Sequence, residues 1–195
     1  MSIKHGWQKL MGPVVATKTD GNVIKELNWQ PPLSVYSKAI EKDIHLKITN
    51  KNFSEHAFSF PFGMHKEGSE MVIRDPIRCN KKGEIICIGD VPQNSVLNIL
   101  KGEASELIHA AELATHEAQL KINKQLKHTL VIDCISRLLF LKDDYIKELN
   151  TINSQCKQSN KEALPQGVLS IGEMSSGRGG RIDFHSKTLI LSTLH

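Results

Sequence analysis

The last third of the chain constrains the fold most. Residues 129–133 form an apolar, β-branched run that ends in Asp133-Cys134. Residues 143–157 then carry Tyr145, Ile146, Leu149 and Ile152 at helical spacing, and residues 167–171 form a second extended run. Strand, amphipathic helix and strand in close succession predict a β-α-β crossover, which makes the two strands parallel. Parallel strands carry both carboxyl ends to one rim of the sheet, so Cys134 and Gly172-Glu173 are expected to be neighbours. A further apolar run over 187–194 most simply returns antiparallel, which starts His185 at the same rim, beside a loop over 174–183.

Upstream, residues 14–17 and 23–27 flank Thr19-Asp20-Gly21-Asn22 and predict a hairpin. Pro31-Pro32 opens a short helix with Leu33, Tyr36 and Ile40 on one face, and Ile44, Leu46 and Ile48 alternate as a short strand. Residues 71–79 and 84–91 predict a second hairpin across Asn80-Lys81-Lys82-Gly83, with Pro76 at an edge or bulge. Residues 96–100 read as a strand. A long helix over 103–123 follows, its stripe made by Leu107, Ile108, Ala111, Ala114, Ala118 and Ile122. The expected fold is α+β: a mixed sheet from two hairpins and a C-terminal β-α-β-β unit, covered by two main helices. With 195 residues and 39% hydrophobics, a single domain over 1–195 can bury enough surface to fold without disulfides.

Charge and cysteine usage narrow the partners. Lys+Arg 25 against Asp+Glu 21 gives +4, and with a pI near 8.8 this is mildly basic, short of what a phosphate-backbone binder needs. No nucleic-acid partner is expected. The four cysteines form no C-x-x-C pair, which fits reduced thiols in a cytoplasmic protein. No apolar stretch reaches membrane-spanning length, so no membrane partner is expected either. A Walker loop, a G-x-G-x-x-G turn after a strand and a G-x-S-x-G elbow are all missing, and Phe140 stands where a Cys-x5-Arg loop would need arginine. No cofactor is expected.

Several landmarks are familiar in their order. Cys134-x-x-Arg137 ends a strand, Gly167-x-x-x-x-Gly172-Glu173 follows a helix, and Phe184-His185-x-x-Thr188 precedes the last strand. Gly12-Pro13 with Val15-x-Thr17, Asn22-Val23-x-x-Glu26-Leu27, Pro32-Leu33-x-x-Tyr36, Phe60-Pro61 and Asp90-Val91-Pro92 precede them. Together they resemble the FIST domain family, in its C-terminal half, over nearly the whole chain. The resemblance implies a sensory domain of bacterial signalling proteins and of certain F-box proteins, responsive to small ligands such as amino acids, with no catalytic activity. It also implies that the N-terminal FIST half and an output domain are absent, so that such a half or a signalling output protein is an expected partner. Asn28 departs from the family pattern, in which an Asp-Gly pair often closes the early segment.

The candidate ligand-binding residues are Arg137, Glu173, Cys134, His185 and Arg74. Arg137 offers a planar fork for a carboxylate and Glu173 a counter-charge for an ammonium, which together suit an amino-acid-like zwitterion. The structural alternative is that the two pair with each other in a buried bridge. Cys134 beside Arg137 suggests a thiol of lowered pKa, against the alternative of a small buried hydrophobe. His185 reads either as a ligand contact or as a packing residue, and Arg74 either reaches the same pocket or pairs near Asp75. His109, Glu112 and His116 lie opposite the apolar stripe of their helix, which makes them a solvated face and not a metal site. Arg178-Gly-Gly-Arg181 reads as a rim loop over the pocket. The expected function is small-ligand sensing in intracellular signal transduction without a reaction. A protein-recognition module and a thiol or hydrolytic enzyme using Cys134 and His185 are the rivals.

Overall fold

A computed structural model describes residues 1–66, 70–120, 128–159, 164–176 and 182–194. The chain divides into two compact units, Trp7–Lys101 and a second made of Met1–Gly6 with Gly102–His195. The first strand, β1 (Ser2–Lys4), belongs to the second of these.

In the Trp7–Lys101 unit, apolar alternation produces β2 (Gln8–Val15), β3 (Lys18–Asp20) and β4 (Val23–Glu26), followed by α1 (Pro32–Ile44) and α2 (Phe53–Ala57). Then come β5 (Phe62–Met64), β6 (Val72–Cys79), β7 (Ile85–Ile88) and β8 (Val96–Lys101). The seven strands form an antiparallel sheet in the order β2-β8-β5-β6-β7-β4-β3. Proline at the first helical position starts α1, and Val35, Tyr36 and Ile40 enter a core shared with Phe53, Phe62, Ile85 and Leu97. The second predicted hairpin is β6–β7, and Pro76 sits at a register shift as a bulge, although β6 lies inside the sheet. The first predicted hairpin is displaced. Its outgoing strand is β3, because residues up to Val15 are taken by pairing with β8. The strand expected over Ile44-Leu46-Ile48 does not form. His45 turns into the left-handed region at φ 54°, and the Ile48 N–H is satisfied by the Ser37 hydroxyl at 3.1 Å instead of a ladder.

The second unit contains α3 (Ala104–Leu120), β9 (His128–Cys134), α4 (Ile135–Leu141), α5 (Tyr145–Ser159), β10 (Pro165–Ser170), β11 (Glu173–Ser176), β12 (Ile182–His185) and β13 (Leu189–Leu194). Strand order is β1-β13-β9-β10, with β9 and β10 parallel and β13 antiparallel to β9, as the crossover argument requires. The α+β class therefore holds, but the hairpins and the β-α-β-β unit occupy different sheets, because each set of apolar faces closes its own core. Ala111, Ala114 and Ala118 of α3 pack with Ile152 and Cys156 of α5 and with Val131, Leu189 and Leu191. The stripe of α5 differs from the expected one. Ile146 and Leu149 are exposed, while Glu148, Ile152 and Cys156 are buried. The described ends of the 174–183 loop are strands, β11 and β12 pairing as a separate two-stranded ribbon. Arg178 and Arg181, and Ile122 of the expected helix stripe, lie outside the described residues.

Candidate functional site

Pairing of β9 with β10 sets Ser170 opposite Cys134, and the β11–β12 ladder sets Glu173 opposite His185. Gly172 makes the turn between these elements. Its φ is +101°, and a Cβ there would stand 2.5 Å from the Phe184 ring, so both conformation and space exclude a side chain. Gly167 fits β10 closely against β9, since its missing Cβ would collide with the Val131 carbonyl.

The Glu173 carboxyl sits in this corner, 2% exposed. The Ser170 hydroxyl donates to its Oε1 at 2.7 Å. Burial raises its pKa, while the Ser170 hydroxyl, the Cys134 thiol and the backbone around Thr188 and Gly172 favour its charged form. Cys134 is pushed up as well, first by burial and then by the Glu173 carboxylate. Of the two readings of Cys134, the small buried hydrophobe fits and the thiol of lowered pKa does not, because burial and the neighbouring acid both disfavour the thiolate. His185, opposite Glu173, is buried as well, and so are the Ser175 and Ser186 hydroxyls, which have no hydrogen-bond partner among the described residues. A buried hydroxyl without a protein partner is costly unless a water or a ligand atom answers it.

Arg137 follows Cys134 by one helical turn but faces elsewhere. It is fully buried and ion-paired to Glu148, with which it shares two contacts, and its Nε lies 3.2 Å from Asp133 Oδ1. Nη1 donates to the His5 carbonyl at 2.6 Å and Nη2 to the Leu107 carbonyl at 3.0 Å. The expected pairing with Glu173 is not made. Asp133 and Glu148 supply the counter-charge, and the guanidinium is used up in tying α3, α5 and the N-terminal strand region to β9. Tyr145 donates to Asp133 Oδ2 at 2.9 Å. Burial pushes the Asp133 carboxyl up to about 7, against the pull of Arg137. Burial and the Arg137 cation together push His5 down to about 3.

Arg74 belongs to the other unit. Its Nε donates to the Asp90 carbonyl at 2.7 Å and its Nη1 to the Ile73 carbonyl at 3.1 Å. His109 and Glu112 form an exposed pair at 3.3 Å on α3.

Sequence reasoning reached Cys134, Glu173 and His185 through strand direction, and missed Asp133, Glu148 and His5. Two of these left a signal. Asp133 stands four residues before Arg137, and Glu148 lies between Tyr145 and Ile152 on the buried stripe of α5.

A mixed α+β domain with a buried polar corner at the carboxyl ends of two parallel strands is a class of architecture suited to binding. The family model described as the FIST C domain matches residues 32–176, and the chain belongs to that family, one of sensory domains in signal transduction. Neither a curated protein nor a solved structure matches the chain. Among the described residues, no helix is long and apolar enough to cross a membrane.

Proposed function

We propose that this domain senses a small polar metabolite, an amino acid in the simplest case, at the Glu173 corner, and that it binds without turnover. The supporting observation is the buried Glu173 carboxyl on β11, with the buried Ser175 hydroxyl two residues further along the same strand and the buried Ser186 hydroxyl next to His185, neither hydroxyl having a hydrogen-bond partner among the described residues. An ammonium group suits the carboxylate, and the two hydroxyls serve a carboxylate or amide of the same ligand. Arg137 acts as a positioning residue that holds β9, and hence Cys134, in register. The β11–β12 ribbon carries Glu173 and His185 apart from the main sheet, so a ligand that favours one of its positions shifts the population of the whole domain. A thermal-shift series with amino acids and small carboxylates tests this. At least one amino acid raises Tm in the wild type and loses the effect in Glu173→Gln. A flat series, or an equal shift in the variant, refutes the reading.

A second reading has its own observation. Strand β10 lies at a sheet edge and exposes both Val168, at 59%, and Leu169, at 45%. An extended apolar segment of a partner protein, added to that edge, matches a protein-recognition module. Val168→Lys then abolishes partner capture and leaves the amino-acid response unchanged.

A further inference from the structure

The Trp7–Lys101 unit carries a concave surface far in sequence from the Glu173 corner and built from different chemistry. It is a cleft of about 590 Å³ between the first turns of α1, the segment that follows α1 and the turn joining β6 to β7. Its walls are pinned to one another. The Leu33 N–H donates to the Gly83 carbonyl at 3.2 Å, the Ile48 N–H to the Ser37 hydroxyl at 3.1 Å, and Asn50 Nδ2 to the Asn80 carbonyl at 2.6 Å. The turn is closed internally, with Asn80 Oδ1 accepting from the N–H groups of Lys82 and Glu84. A cleft tied at three points is formed before any ligand arrives, so binding there loses little to ordering.

Four lysines line this cleft, Lys38, Lys47, Lys81 and Lys82, against a single carboxylate, Glu41. All four are exposed, and among the described residues none of them forms an ion pair. Elsewhere on the same unit Lys18, Lys25 and Lys101 each find an acid, at 3.7, 2.7 and 3.3 Å. The whole chain has an excess of only +4, and this cleft brings four lysines together against one carboxylate. Among the described residues the lining contains no aromatic side chain on which a base or ring would stack, and no arginine fork for a planar carboxylate. It does contain the hydroxyls of Ser34 and Thr49. Compact, strongly hydrated ammonium groups with nearby hydroxyls suit the tetrahedral, multiply charged oxygens of phosphate.

We infer that this cleft binds a small phosphorylated anion, such as a polyphosphate or a sugar phosphate, as a site separate from the Glu173 corner. Its volume lies within the range of small-molecule sites.

The probe is inorganic pyrophosphate, titrated calorimetrically into the full chain at low and at moderate salt, with citrate as the carboxylate comparison. Pyrophosphate binds saturably at one site, and citrate binds more weakly. The double variant Lys38→Glu/Lys82→Glu weakens binding by about tenfold or more, whereas Lys9→Glu/Lys157→Glu, an equal charge change on exposed lysines elsewhere, alters it by less than about twofold. Circular dichroism and urea unfolding confirm that both variants fold. No saturable pyrophosphate binding, equal weakening in both variants, or citrate bound as tightly as pyrophosphate would each overturn the inference. The amino-acid response at Glu173 is unaffected by Lys38→Glu/Lys82→Glu, so failure here and failure of the sensing reading are distinguishable.

Discussion

In the Trp7–Lys101 unit the central buried side chain is Tyr36, with the rings of Phe53 and Phe62 at 5.3 and 5.4 Å and its hydroxyl donating to the Phe60 carbonyl at 2.6 Å. In the other unit a comparable place is taken by Arg137, fully buried between Asp133 and Glu148, with Lys187 and Thr188 buried as well. The apolar core beside it is made of Ala111, Ala114, Ala118, Val131, Ile152, Cys156, Leu189 and Leu191, and among the described residues it contains no aromatic ring. One unit is held mainly by non-directional burial of large apolar groups, with Arg74 and Asp75 as its buried charges. The other depends on a directional network in which each charge is tolerable only while its partners are present. The first should therefore respond less than the second to nearby changes of polarity and to pH, because the second buries more charged groups.

The largest effect should follow from breaking the network. Arg137→Ala strands Asp133 and Glu148 in the interior and should cost about 3–5 kcal/mol in urea unfolding. Arg137→Met combined with Glu148→Leu should recover most of that loss, since removing a whole pair is far cheaper than orphaning one member. If Arg137→Ala costs less than about 1 kcal/mol, the contrast between the units collapses. Leu97→Ala in the aromatic unit should cost about 2–5 kcal/mol through lost burial and a cavity, and the loss should be the same at pH 5 and pH 8.

A smaller effect is expected from pH. Asp133 has its folded value raised to about 7, above the ordinary 3.8, so its contribution to stability is fully present below about 3.8 and is lost as pH rises through 7. His5 has its folded value lowered to about 3 from 6.5, so its contribution is present above about 6.5 and is lost as pH falls toward 3. The two slopes oppose each other over the shared window. Asp133→Asn should therefore leave the His5 slope unopposed, so that stability falls more steeply as pH drops from about 6.5 toward 4 and no longer declines as pH rises to 7, as read by urea midpoints from pH 4 to pH 8. An unchanged profile in that variant would assign the titration elsewhere. Smallest is Tyr36→Phe, which keeps the ring packing, gives up one buried hydrogen bond and should cost about 1 kcal/mol.

Legibility in the sequence followed the same division. The β9-α5-β10 crossover, its parallel register and the return of β13 were readable, because strand direction follows from a helix that must cross between two extended runs. That logic also brought Cys134, Glu173 and His185 to one corner. The strand expected at Ile44-Leu46-Ile48 failed because alternation over so few residues carries little information when a helix cap and a side-chain hydrogen bond can satisfy the same backbone. On α5 the error lay in assuming that apolar residues face inward. Glu148 takes the buried stripe, and Ile146 and Leu149 are left outside, because Arg137 needs an acid and no periodicity rule values a charge as core.

Spacing and residue type were enough for the class of fold, the direction of the C-terminal strands and the rim on which three candidate residues gather, since these depend on contacts near in sequence and on chain direction. Which acid answers which base, which lysines are left without an acid, and how strands are divided among sheets depend on distances between segments remote in sequence. Charge pairing falls off with separation in space, and that separation exists only once the chain is folded.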